Sequence, residues 1–166
     1  TLPEKLDGRD VVGVANSAFK AENSIRTIKI PASYTYIGSY AFYDCDALTS
    51  VEILGENLTD IGECAFQGCD VLTSIALPKS VETVGNFAFK DCIAITELDL
   101  GTSLVSVGEG AFFGCKALKT IKLADTVKDI NKNAFIGCEA IEYTEEDSAL
   151  YLGNDANKYL VLVRAI

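Results

Sequence analysis

Ala-Phe occurs six times in this 166-residue chain, at Ala18-Phe19, Ala41-Phe42, Ala65-Phe66, Ala88-Phe89, Ala111-Phe112 and Ala134-Phe135, with spacings of 23, 24, 23, 23 and 23 residues. A fixed period of this size constrains the fold more than any single residue can. Each unit is too small to bury an apolar face alone, so units must stack on one another around a continuous core.

Composition narrows the function classes. The chain is 49% apolar and 23% charged, a balance that fills a core and argues against disorder. No run approaches the ~18 consecutive apolar residues of a membrane-spanning helix. The formal charge of -10 argues against nucleic acid as a partner, since a phosphate backbone demands clustered Lys and Arg. Histidine is absent, which removes the usual base of Ser and Cys nucleophile triads and the commonest metal ligand. The chain opens at Thr1 and holds no Met, as expected of a processed or truncated piece, so the compartment is not legible from a leader.

Within the fourth unit, Leu72-Thr73-Ser74-Ile75-Ala76-Leu77-Pro78 alternates as a short strand, with Ile75 and Leu77 on one face and Ser74 and Ala76 on the other. Equivalent triplets are Ile25, Ile28, Ile30; Leu48, Val51, Ile53; Ile95, Leu98, Leu100; and Leu118, Ile121, Leu123. One strand per unit, all in the same direction, makes a parallel sheet. Ser33, Ser80, Ser103 and Thr126 follow the strands, with Asn57 and Asp10 in the same role elsewhere. Their short side chains are expected to hydrogen-bond the turning backbone. Ile37-Gly38, Ile61-Gly62, Val84-Gly85, Val107-Gly108 and Ile130-Asn131 mark the next corner. Gly and Asn share a tolerance of positive φ, so a left-handed residue is expected there. A short helical turn through Ala-Phe then aims each Phe inward.

Cys45, Cys69, Cys92, Cys115 and Cys138 each lie three residues after a repeat Phe. No C-x2-C pair exists for zinc. Strands stacked ~4.8 Å apart hold Cβ atoms slightly beyond the ~3.5–4.5 Å of a disulfide. A ladder of buried free thiols is therefore expected. Cys64 stands apart, at a position held elsewhere by Ser17, Tyr40, Phe87, Gly110 and Asn133. It is expected to be partly exposed, with no His to activate it.

The string L-x-x-I-x-L-P-x-S-V-x-x-V-G-x-x-A-F-x-x-C over Leu72–Cys92 resembles the BspA-type (Treponema pallidum-type) leucine-rich repeats, and six phased copies cover residues 7–143. The resemblance implies an α/β repeat solenoid: a curved, right-handed coil with one short parallel strand per 23-residue repeat and short helical or 3-10 turns on the convex side. It also implies a surface or secreted protein without catalytic residues or cofactors. Tyr151-Leu152-Gly153-Asn154 and Tyr159-Leu160-Val161-Leu162 resemble a hairpin insertion of the same family. From the residues alone, Ala149–Leu152 and Tyr159–Val163 read as strands joined by a Gly-Asn-Asp-Ala-Asn-Lys turn. The chain thus divides into a solenoid over residues 1–148 and a C-terminal β-hairpin over residues 149–166, serving as a cap or a link to further repeats. Ala15 and Glu22 in the first unit, and Thr144 and Glu146 after the sixth, depart from the pattern as end units do.

The strand face is the natural place for a partner. Lys29, Glu52, Ala76, Asp99 and Lys122 form one row, and Thr27, Ser50, Ser74, Glu97 and Thr120 the next. Tyr36, Tyr40 and Tyr43 form a second candidate, suited to protein or sugar contact, while Tyr34 takes a core position. The acidic run Glu139, Glu142, Glu145, Glu146, Asp147 lacks the D-x-[DN]-x-[DN]-G calcium loop. Asp44 and Asp46 on a turn lack the cleft of a glycosidase pair. No metal site is assigned. Together with the resemblance, these readings lead to a monomeric, non-enzymatic, adhesin-like scaffold, extracellular or at the cell surface, that binds a host or cell-surface protein or glycan. A structural spacer and a noncatalytic module of a larger secreted enzyme are the alternatives.

Overall fold

The structure is a computed structural model that describes residues 1–123, 126–131, 133–141, 144–146, 149–152 and 161–165. A hairpin of β1 (Lys5–Leu6) and β2 (Arg9–Asp10) leads into β3 (Gly13–Val14). Two strands per coil follow: β4 (Thr27–Ile30) and β5 (Tyr36–Ile37), β6 (Ser50–Ile53) and β7 (Asp60–Ile61), β8 (Ser74–Ile75) and β9 (Thr83–Val84). The series continues with β10 (Glu97–Asp99) and β11 (Ser106–Val107), then β12 (Thr120–Lys122) and β13 (Asp129–Ile130). Last come β14 (Thr144–Glu146), β15 (Ala149–Leu152) and β16 (Val161–Ala165). We number the coils 1 to 6 by their Ala-Phe pairs.

The expected parallel strands are present as β4-β6-β8 and β10-β12. Their apolar alternates, among them Ile28, Ile30, Val51, Ile75, Leu98 and Leu100, are buried. A second parallel ladder, β13-β11-β9-β7-β5-β3, runs through all six coils. Each of its strands is only two residues long, too short to show alternation in sequence. Val14, Ile37, Ile61, Val84 and Val107 fill its inner face.

The arc through Ala-Phe holds no helix among the described residues. It is a run of tight turns whose N–H groups alternate in direction. Ala88, Lys90 and Cys92 donate within the coil to Gly85, Phe87 and Phe89 at 3.3, 3.1 and 3.1 Å. Phe87, Phe89 and Asp91 donate to Glu109, Ala111 and Phe113 of the next coil at 2.7, 2.7 and 2.8 Å. This alternation leaves the buried arc with its donors satisfied, as a dry interior requires.

Left-handed residues recur on this arc, not at the glycine corner. Tyr40, Cys64 and Phe87 have φ of 58°, 51° and 55°, and Asp44 and Asp91 have 52° and 59°. Gly38, Gly62, Gly85 and Gly108 are conserved in the repeat for a different reason: space. A Cβ on Gly85 would lie 2.7 Å from the Glu63 nitrogen and the Gly62 carbonyl carbon. Gly62 and Gly108 meet the preceding backbone equally closely, at 2.6 Å from the nitrogens of Ser39 and Asn86. Asn131 takes this place in coil 6, where its Oδ1 accepts the Asn133 N–H at 2.9 Å.

Six Phe rings stack through the core with centroids 5.1–5.5 Å apart and planes within 10°. Each offset pair contributes about 0.5–1.5 kcal/mol beyond area burial. The six cysteines are buried and form no disulfide among the described residues, and five of them do more than fill space. Cys69, Cys92, Cys115 and Cys138 donate to the carbonyls of Phe42, Phe66, Phe89 and Phe112, one coil back, at 3.0–3.1 Å. Cys45 does the same to Phe19 at 3.0 Å. Burial raises the Cys92 thiol well above its ordinary range and pushes Cys69 up to about 12, which keeps both protonated. Coil 1 carries no cysteine at this position. Its Glu22 instead accepts the N–H and hydroxyl of Ser24 at 3.0 and 2.6 Å.

Ser33, Ser80 and Thr126 bond the carbonyls of Val11, Leu58 and Leu104 at 3.1, 2.6 and 2.8 Å, and Asn57 bonds Ala32 at 2.8 Å. Asp10 departs from this role: it pairs with Lys5 at 2.9 Å across the N-terminal hairpin. Asp7 and Gly8, at φ 50° and 76°, form the primed turn that hairpin needs. Leu2 N–H bonds Lys29 O and the Tyr34 hydroxyl bonds Pro3 O, both at 2.9 Å. The N-terminal segment thereby covers the edge beside β4.

At the other end β14, β15 and β16 form an antiparallel sheet. β14 adds a third strand at Thr144–Glu146, where apolar solenoid residues are missing. The expected hairpin turn and Tyr159-Leu160 lie outside the described residues.

Gly85→Ala is expected to destabilise by about 1–3 kcal/mol through overpacking, although its φ is not left-handed. Phe89→Ala should cost about 3–5 kcal/mol. Denaturant unfolding measures both, and a neutral Gly85→Ala would refute the close-approach account. A third expectation concerns charge. Asp70 is exposed, yet partial desolvation and the neighbouring Asp46, Asp91 and Asp44 carboxylates raise it above its ordinary range, so its ionised form opposes folding, and that penalty fades as pH falls through its folded pKa. Asp70→Asn should therefore raise the melting temperature at neutral pH, with the gain vanishing near about pH 3, below the ordinary Asp range. A gain that persists in acid would exclude this electrostatic origin.

Candidate functional site

Strand pairing sets the geometry of the polar face. Thr27, Ser50 and Ser74 align across β4, β6 and β8, and Lys29 aligns with Glu52. Glu97 aligns with Thr120, and Asp99 with Lys122, across β10 and β12. The two predicted rows are thus real neighbours within each block. Their charges pair along the rows: Lys29 Nζ lies 2.6 Å from Glu52 Oε2, and Lys122 Nζ 3.3 Å from Asp99 Oδ2. Pairs this exposed add little stability, but they neutralise most of the face. Glu97 makes no ion pair among the described residues.

Between coils 4 and 5 the ladder opens. Thr49, Thr73 and Lys119 each donate an N–H to the preceding coil, to Arg26, Thr49 and Thr96, at 2.8, 3.0 and 2.8 Å. No corresponding bond runs from Thr96 to Thr73 among the described residues, and β8 and β10 belong to separate sheets. A depression of about 600 Å³ lies at this opening, lined by Ser50, Glu52, Thr73, Ser74, Thr96 and Glu97 with Ala76 and apolar strand residues. Among the described residues its lining holds no Lys, no Arg and no aromatic ring.

The tyrosines separate. Tyr40 and Tyr43 are half-buried on the arc, with ring centroids 5.6 Å apart and Lys20 Nζ 5.5 and 5.0 Å from the two. Tyr36 is 40% exposed on the second ladder, over Gly13, and shares no ring contact with them among the described residues. The Tyr40 hydroxyl bonds Cys64 and, at 3.2 Å, Glu63 Oε1. The hydrogen bond with the Cys64 sulfur and the nearby Glu63 carboxylate push the phenol up to about 12. Cys64 itself is buried, 4% exposed, contrary to the expected partial exposure. Burial raises its thiol, partly offset by the Tyr40 hydroxyl, so it lacks the thiolate a nucleophile needs. Its left-handed backbone, which turns the side chain under Tyr40, has no signature in the sequence. A second aromatic group on the arc, Phe113 with Lys90 Nζ 5.6 Å from its ring and Phe87 lying over Gly110, was hidden because Phe113 directly follows a core Phe.

No helix among the described residues is long and apolar enough to cross a membrane. Among the same residues no group of three or more His, Cys, Asp or Glu could hold a metal ion. Glu139 is exposed, and Glu142 and Asp147 lie outside the described residues.

No curated protein has a matching sequence. Among solved structures, the T. pallidum Leucine Rich Repeat protein is 27% identical with a TM-score of 0.74, the match covering 85% of this chain and 76% of that one. A leucine-rich repeat protein from Bacteroides ovatus is 32% identical at TM-score 0.72, over 80% of this chain and 34% of that one. A leucine rich cell surface protein from Faecalibacterium prausnitzii is 29% identical at TM-score 0.67, over 75% and 33%. This chain therefore spans about a third of the latter two proteins. The BspA type Leucine rich repeat region matches in six copies over residues 12–142, the same coils that carry both ladders and the Phe stack, and the chain belongs to that family.

Proposed function

We propose that this chain is a non-enzymatic module of a bacterial surface protein and that its strand face docks a protein partner. The observation that supports this most is the open ladder between coils 4 and 5, where the regular, self-neutralised face gives way to a polar depression. A repeat solenoid offers such a face as one continuous field, and the F. prausnitzii relative is itself described as a cell surface protein. A protein partner suits this face better than a glycan, because sugar sites rely on aromatic platforms and the depression lining has none. Tyr36, Tyr40 and Tyr43 are not joined into one patch, and Lys20 already lies near the rings of Tyr40 and Tyr43. They are therefore secondary.

Ser74→Trp, which fills the depression without altering charge, tests this reading. Retention on immobilised fibronectin and laminin should fall roughly tenfold, equivalent to about 1.4 kcal/mol, with an unchanged melting temperature. Thr102→Trp, an exposed residue away from the depression, should bind as the parent does. Equal retention by all three proteins would overturn the strand-face assignment. In the same reading, residues 149–166 cover the sixth coil. Deleting them should abolish a single cooperative melt, and a truncated monomer that melts unchanged would refute that role.

A further inference from the structure

We infer that the depression between coils 4 and 5 accepts an arginine side chain of the protein partner; the inference rests on the strand-face reading and names the chemistry that face selects. Three observations converge on it. The lining carries two carboxylates, Glu52 and Glu97, and no cation. Glu52 is already engaged by Lys29 at 2.6 Å, whereas Glu97 makes no ion pair among the described residues. The remaining polar lining, from Ser50, Thr73, Ser74 and Thr96, consists of hydroxyls that can all accept.

The open ladder adds an acceptor that the other junctions consume. At the neighbouring junctions the backbone carbonyls of Arg26, Thr49 and Thr96 each receive an N–H from the following coil. Among the described residues the Thr73 carbonyl receives none from coil 5, and Thr73 lines the depression. A surplus of acceptors around one free carboxylate calls for a ligand made of donors. Guanidinium presents five N–H groups in a planar fork and no acceptor. It can pair with a carboxylate through two parallel bonds, and its weak hydration lowers the cost of leaving water compared with an ammonium. The overall charge of -10 draws any basic partner to the molecule without choosing a site on it. Selectivity must come from the depression.

Two end-blocked peptides of matched length distinguish site from field: one with four arginines spaced by Gly-Ser, the other with citrulline, a neutral isostere, at the same places. Fluorescence anisotropy near physiological salt should show the arginine peptide binding the parent protein roughly tenfold more tightly than its citrulline counterpart. Glu97→Gln should erase that preference. Glu109→Gln, an equal change of charge at an exposed residue outside the lining, should leave it within about twofold. Equal weakening by the two substitutions would show that binding follows net charge, and equal affinity for both peptides would show that guanidinium is not selected; either overturns the inference. Ser74→Trp separates the two levels. If it still lowers retention on matrix proteins while the arginine preference is absent, only the arginine assignment falls. If it leaves retention intact, the strand-face reading falls with it.

Discussion

Close stacking of one coil on the next is the constraint from which the rest of this molecule follows. Backbone must pair with backbone about 4.8 Å away on several sides of the coil at once, or buried N–H and C=O groups go unsatisfied. That distance leaves no room for a Cβ at Gly62, Gly85 or Gly108, where it would meet the preceding backbone at 2.6–2.7 Å. It sets the Phe rings at 5.1–5.5 Å, close enough to stack when slightly offset. It also brings the thiol of each ladder cysteine within reach of the Phe carbonyl one coil back. Cysteine suits that place because it is small, tolerates burial and keeps one weak donor.

Regularity of this kind consumes side chains in mechanics and leaves few for recognition. The Ser, Thr and Asn ladder, the thiols and the corner glycines all serve coil-to-coil contact. Charges on the strand face are spent on each other, Lys29 with Glu52 and Lys122 with Asp99. What remains for a partner, among the described residues, is the junction between coils 4 and 5 where pairing lapses, with Glu97 beside it. An opening in a repetitive ladder exposes both unpaired backbone and an unneutralised side chain, which is why a departure from the repeat is chemically distinctive.

Much of the fold could be read from residue order because a period makes every position six-fold redundant. Ile75 and Leu77 inward with Ser74 and Ala76 outward, the buried Phe series and the ladder of buried, unbridged Cys are all as the alternation and spacing imply. The second ladder was not legible: Thr83-Val84 and its equivalents are too short to carry a pattern, and their pairing depends on residues 23 or 24 positions away. The corner glycines were misread for a related reason. A glycine that avoids a clash with the neighbouring coil looks in sequence like one that supplies positive φ, and only the stacked backbone tells them apart. Cys64 was misplaced likewise, since it is buried on a left-handed turn at φ 51° where its sulfur meets the Tyr40 hydroxyl of coil 2.

Residue order by itself determined the solenoid, its period, its inward and outward faces and the rows Lys29 to Lys122 and Thr27 to Thr120. These are local or strictly periodic properties, set by alternation and repeat length. Tertiary structure alone decided which charges on those rows are neutralised, where the ladder opens and which side chains share a depression. Those depend on distances between coils, and Glu97 differs from Asp99 only because one has Lys122 at 3.3 Å and the other has no such neighbour among the described residues.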